Sequence, residues 1–129
     1  MLLSILLYSF SLSPSTDTIK HPIDLQLDKC LLKAHATMTR AACYNTAYIG
    51  WENDIAVSEK LLLKKGKDKN NVENEQKAWE QERDARFKEI ADQYNKMRGT
   101  MYVPLRIKLR MEVLRARALK LEEQLKNSR

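Results

Sequence analysis

Arg83 follows Trp79 by four residues and precedes Phe87 by four, so on a helix the three side chains share one face. A guanidinium cannot shed its proton to escape an apolar setting. If Arg83 faces a core it needs a carboxylate there; the alternative is that it packs only its methylenes and reaches solvent. Cys30 and Cys43, with twelve residues between them, are the other reactive pair. In a reducing compartment they read as two separate thiols, and in an exported protein as one bridge. With His35 they leave a zinc shell incomplete, so no metal site is expected. Neither His21 nor His35 stands at a familiar catalytic spacing from a Ser, Cys or carboxylate, and no Gly-rich phosphate loop exists. The chain therefore reads as a non-enzyme, with no catalytic residue, no cofactor and no small-molecule substrate.

The elements that must carry these residues are helices. Of 129 residues, 31% are charged and 7% aromatic, with three Gly and three Pro, which leaves too few turn residues for a many-stranded β fold. Val72, Trp79, Phe87, Ile90, Tyr94 and Met97 recur at helical spacing and predict a long helix over 70–97. Tyr44, Tyr48, Trp51, Ile55 and Leu62 form a second stripe, on a helix from about 40 to 63 or 65. Between them Gly66 suits a left-handed cap, and Asn70 or Asn71 can cap the next helix. A connection this short makes the two helices antiparallel.

With the turn near residue 67 or 68, residues facing each other across the hairpin have numbers that total about 135, because both helices rise by about 1.5 Å per residue. Trp79 then faces Ile55, Phe87 faces Tyr48, and Arg83 comes level with Glu52. The expected core seam is Tyr48, Trp51, Ile55, Trp79, Phe87 and Ile90, with Arg83–Glu52 as a structural ion pair fixing the register. A short helix over 23–36 precedes the hairpin, and Thr37 and Thr39 offer cap hydroxyls to the first hairpin helix. A last helix, with Pro104 in its first turn, carries the seam Ile107, Met111, Leu114, Ala118, Leu121 and Leu125. Its opposite side bears Leu105, Leu109, Val113 and Ala116, so it is either wedged between helices or open to a partner. The expected fold is all-α: a short N-terminal helix, a long antiparallel hairpin, and a C-terminal helix packing back.

Met1 to Phe10 is the one strongly apolar run, too short to span a bilayer and followed by small residues. Residues 1–15 read as a signal peptide or disordered leader, 16–22 as a linker, and 23–129 as one helical domain. Export makes the Cys30–Cys43 bridge the natural pairing and places the protein in the periplasm or outside the cell. The net charge is +6, and residues 98–129 hold 9 Lys or Arg against 3 Asp or Glu while residues 1–97 balance at 14 each. Arg106, Arg110, Arg117 and Lys120 line one edge of the last seam. An alternative is therefore a basic module whose last helix binds anions, although nucleic acid is not the expected partner. A third is a structural dimer through the Leu105–Ala116 side; the oligomeric state is left open.

With these residues in view, the chain resembles the lysozyme inhibitor LprI family, small exported helical proteins. The similarity starts at Cys30 and Cys43, with Thr39 four residues before the second. It runs through Tyr48 and Trp51-Glu52-x-x-Ile55, similar to the family's aromatic-Asp-x-x-Leu-Asn. It is strongest at Gln76-Lys77-Ala78-Trp79 with Arg83-Asp84-Ala85, like the family's Gln-x-Ala-Trp-x-x-x-Arg-Asp. Gly99-Thr100 and Arg115-Ala116-Arg117 leading to Leu121-Glu122 extend it more loosely. Phe87 and Leu109 stand where many members carry a second cysteine pair, and Ala56 where an Asn is usual. The resemblance implies protein binding, with inhibition of a lysozyme or another envelope-acting enzyme. Such an inhibitor presents a rigid group to a cleft lined by paired carboxylates. The expected presenters are the basic loop with Lys64, Lys65 and Lys67, or the turn from Arg98 to Tyr102, with Arg106, Arg110 and Arg117 nearby. A charge of +6 opposes the approach to a basic animal-type lysozyme.

Overall fold

The computed structural model describes residues 19–128. Four helices follow one another: α1 (Pro22–Lys33), α2 (Thr37–Lys64), α3 (Lys69–Tyr94) and α4 (Tyr102–Asn127). No strand occurs among the described residues. The leader expected over 1–15 lies outside them, and of the 16–22 linker only 19–22 is described, with Pro22 already in the first turn of α1.

The caps differ from those expected, for local reasons. Asp68, not Asn70 or Asn71, caps α3, its Oδ1 accepting the Asn70 N–H at 2.8 Å. Ala36 occupies the cap position of α2, and Thr39 one turn in serves it instead. The Thr39 hydroxyl accepts the Ala36 N–H at 3.2 Å and donates to the Ala36 carbonyl at 2.7 Å. Gly66 does end the α2 turn in left-handed geometry, with φ of 82°. At the other end of α3, Gly99 turns the chain with φ of 122°.

The core forms where the stripes of α2 and α4 meet. Tyr44, Ala47, Trp51, Ile55 and Leu62 from α2 close on Met111, Leu114, Ala118 and Leu121 from α4. Ile107 and Leu125 of the predicted seam pack against that cluster while partly exposed. Each fully buried large side chain, such as Leu114 or Leu121, stabilises the fold by about 1.5–3 kcal/mol. α2 and α3 are antiparallel, with the register expected: the Tyr48 and Phe87 rings lie 6.4 Å apart. Yet α2 packs far more extensively on α4 than on α3. The cause is compositional, because α3 buries only Ile90 and Tyr94 fully and otherwise meets its neighbours through half-buried Val72, Trp79 and Phe87. α4 is therefore the wedged helix, with Val113 and Ala116 of its second apolar side lining a groove shared with α3.

α1 runs antiparallel along the first half of α2, with His21 beside Trp51 and Ile23 beside Gly50, and is held by the Cys30–Cys43 disulfide and by Ile23, Leu27 and Leu31 against the core. Ile23 packs over Gly50, where a Cβ would make an ordinary contact of 3.4 Å with Ile23 Cδ1. No helix among the described residues is long and apolar enough to cross a membrane.

Candidate functional site

Of the predicted core seam, Trp51, Ile55 and Ile90 are buried, while Tyr48 of α2 and Trp79 and Phe87 of α3 are half-buried. The expected Arg83–Glu52 pair is not formed. Arg83 instead pairs with its chain neighbour Asp84, Nε to Oδ1 at 3.1 Å, and its guanidinium lies 5.3 Å from the Trp79 ring centre. Glu52 is exposed. A carboxylate one residue away needs no second helix to approach. Burial of Tyr48 beside Glu52 pushes its phenol above its ordinary value.

The guanidinium that does enter the interior is Arg117. Its side chain is 4% exposed, with Nη1 3.3 Å from Glu75 Oε1 and Nη2 donating to Gln76 Oε1 at 3.0 Å. It lies 5.6 Å from the Trp79 ring, and Arg110 lies 5.9 Å from that of Phe87. Aromatic faces of α3 are thus covered by cations, two of them from α4, each contact contributing about 0.5–1 kcal/mol or more where desolvated. The Gln124 amide donates to Glu75 and, with Arg117, holds that carboxyl below its ordinary range. Arg110 and Arg117 were expected at a partner surface. The structure places them against Phe87 and Trp79 instead, because α3 supplies aromatic rings and acceptors there.

The remaining predicted presenters fall at opposite ends of the bundle. At the α2–α3 turn, Lys65 is committed, its Nζ donating to the carbonyls of Leu125 at 2.8 Å and Ser128 at 3.1 Å. Lys64 and Lys67 are exposed beside it. At the α3–α4 turn Arg98 is exposed, and Tyr102 stacks near Tyr94 with ring centres 6.1 Å apart. Arg106 is half-buried on α4. Met97, Met101 and Leu105 of this turn and the start of α4 are exposed, as is Met38 at the start of α2. Thr37, Arg40, Tyr44, Met101, Pro104, Leu105 and Lys108 line an open cleft of about 270 Å³ at the same end.

Sequence reasoning missed a second constellation around Trp51, which is wholly buried. The His21 ring stands 4.4 Å from it, and the Arg115 guanidinium 5.8 Å away. Arg115 grips Asp24 in a fork, Nε to Oδ1 at 3.0 Å and Nη2 to Oδ2 at 2.9 Å. His21 Nδ1 accepts the Ile23 N–H at 3.1 Å and so caps α1; the ring proton is then on Nε2, which donates to Glu122 Oε1 at 2.8 Å. Asp54 completes the group, with ligand-type atoms of His21, Asp54 and Glu122 all within 4.8 Å of one another. Burial and the neighbouring Glu122 carboxylate push Asp54 up to about 6.

Proximity alone would let these three hold a cation, but the tautomer opposes it. A metal on Nε2 would require both ring nitrogens to offer lone pairs, whereas a ligating His normally donates from its other nitrogen. The cluster instead joins α1, α2 and α4. Its members are 33 and 68 residues apart, and no local spacing signals them. The available hint was that His21 directly precedes Pro22, a residue suited to the first turn of a helix.

Comparison with known proteins adds one match: the model of the family described as lysozyme inhibitor LprI covers residues 30–121, most of the described helices. No curated protein and no solved structure matches the chain.

Proposed function

The chain belongs to the lysozyme inhibitor LprI family, and from that premise we propose that it is an exported, non-enzymatic helical protein that binds and inhibits a muramidase of the cell envelope. The family match over residues 30–121 carries this reading. The architecture supports it: a helical bundle whose bridge and part-buried ion pairs tie helices together, with exposed Met38, Met97 and Met101 at one end. Methionine is flexible and polarizable, and suits an adaptable protein contact. The Cys30–Cys43 bridge accords with an oxidising compartment, periplasm or cell exterior, reached through the leader proposed over residues 1–15. Residues 23–129 act as one domain. Inhibition needs no chemistry from this protein, only occlusion of a cleft in which two carboxylates must reach the glycan.

Titration of the oxidised protein into muramidases of acidic and of basic net charge, with cell-wall lysis and direct binding both followed, tests the proposal. The expected result is saturable inhibition of at least one enzyme that parallels complex formation. Absence of binding across the panel would overturn it.

A further inference from the structure

The net charge of this protein sits at one end of the bundle. Two runs, 29–51 and 93–111, contain no Asp or Glu and together hold 8 Lys or Arg, among them Lys33, Arg40, Lys96, Arg98 and Lys108. The rest of the chain carries 15 Lys or Arg against 17 Asp or Glu, a slight negative excess. The fold brings the two runs together. The first spans the end of α1 and the first half of α2, and the second spans the α3–α4 turn and the first part of α4. Arg40 and Lys108 line the same open cleft from α2 and α4, beside Met101, Pro104 and Leu105. None of the five named cations is paired with a carboxylate among the described residues. Met101 is 68% and Met38 58% exposed on this end.

Unpaired Arg40 and Lys108 beside exposed Met101 and Leu105 combine apolar and charged groups in one cleft, as protein contacts do. A net positive charge at this end, only partly offset by exposed Asp92 in the last turn of α3, also steers encounter. At the α2–α3 end Lys64 and Lys67 are also exposed, but Lys65 is spent on α4 carbonyls, Lys69 stands 3.8 Å from Glu73, and Asp68 and Glu75 lie in the same turns, so the local charge is more nearly balanced.

We propose that this basic, methionine-bearing end is the docking surface, and that the partner presents to it an acidic protein surface such as a carboxylate-lined cleft. The inference rests on the function proposed above and names the site and the partner chemistry. It also resolves the charge problem, because what must be complementary is the partner's contact surface and not its net charge.

The test uses the intact oxidised chain and one muramidase shown to bind it. Arg98→Glu with Lys108→Glu should lower affinity at least tenfold, and wild-type binding should weaken steeply between 50 and 200 mM salt, two or more charges being involved (on the order of the linkage seen for polyanions). Lys64→Glu with Lys67→Glu, the same change of charge at the other end, should shift affinity by less than about twofold. Met101→Ser, at an exposed position that leaves helix packing intact, should weaken binding with the salt dependence unchanged. Equal losses from the two charge pairs, or loss from the Lys64 and Lys67 pair alone, would overturn the proposal. So would an Arg98 and Lys108 variant that keeps its muramidase affinity but releases vesicles of anionic phosphatidylglycerol, since the end would then serve a lipid surface. Failure of the wild type to bind any muramidase is a different result, and it removes the proposed function itself.

Discussion

The Arg117 guanidinium lies 5.6 Å from the centre of the Trp79 ring, carried there by α4 and met by Glu75 and Gln76 of α3. Because Glu75 is about half exposed, deleting the arginine strands no buried charge; what is lost is packing in the α3–α4 seam. Arg117→Ala is expected to cost about 2–3 kcal/mol, and Arg117→Met, which keeps the volume, within about 1 kcal/mol of wild type. Arg83→Ala, whose partner Asp84 is exposed, should cost less than about 1 kcal/mol. Urea unfolding of the three variants checks the order. A larger loss from Arg83 than from Arg117 would contradict this account of the seam.

The contrast between these arginines marks what the sequence could disclose. Helical rise is uniform, so the hairpin register followed from counting, and Tyr48 does stand by Phe87. The seam of α4 was legible for the same reason: Met111, Leu114, Ala118 and Leu121 share one face and are buried. Which cation enters the interior was not legible. Arg83 and Arg117 both lie beside Trp79, and the choice depends on whether a nearer carboxylate claims the guanidinium first. Asp84 does so for Arg83, one residue along the chain. Clusters such as His21, Asp54 and Glu122 draw one residue each from the cap of α1, from α2 and from α4. α1 runs antiparallel beside α2, with His21 by Trp51, Ile23 by Gly50 and Cys30 bonded to Cys43. Polar residues scattered over three helices nevertheless make no stripe that a sequence reading would pick out.

The disulfide closes a short loop, with 13 residues of sequence separation, and joins the smallest helix to the first turns of α2. In the chain-entropy model a loop of this length contributes about 3 kcal/mol. Cys30→Ala with Cys43→Ala should lower stability by about 2–4 kcal/mol. α1 is also held by Arg115–Asp24 and by Ile23, Leu27 and Leu31, so the loss should not abolish folding. Chemical unfolding of wild type with and without reductant, set beside the double variant, measures it. Equal midpoints would show that the bridge adds little to what the other α1 contacts already supply.

Gly50 offers a test of how closely α1 is seated. Its added methyl would stand 3.4 Å from the end of a flexible Ile23 side chain, a contact that can relax. Glycine within a helix costs about 1 kcal/mol relative to alanine. Gly50→Ala should therefore be neutral or stabilising by up to about 1 kcal/mol, whereas Gly50→Leu should push α1 away and destabilise. Thermal unfolding of both, with trypsin cleavage at Lys29 or Lys33 as the local readout, distinguishes a seated α1 from a displaced one.

Asp54 gives the fold a pH dependence whose sign can be worked out. It is faced by Glu122 from α4 and by His21 at the start of α1, and no cation of α2 itself reaches it; burial and Glu122 push it up to about 6 from 3.8. The folded state therefore holds this proton more tightly than the unfolded chain does. Its contribution is fully present below pH 3.8 and is lost as pH rises through about 6. Above that pH two carboxylates share one partly buried site. Asn at position 54 mimics the protonated acid, can donate to Glu122, and has no proton to lose. Asp54→Asn should consequently be more stable than wild type at pH 7, by about 1 kcal/mol once solvent screening is allowed for, and should converge with it near pH 4. Melting temperatures of both proteins from pH 4 to 8 supply the measurement. The loss should be traceable to the α1 junction, because His21 caps α1 through one ring nitrogen and meets Glu122 through the other. Trypsin nicking of α1 that rises with pH in wild type, and stays flat in Asp54→Asn, is the expected signature. Two parallel stability curves across that range would mean that Asp54 titrates as an ordinary surface acid and that the junction of α1, α2 and α4 is held by other contacts.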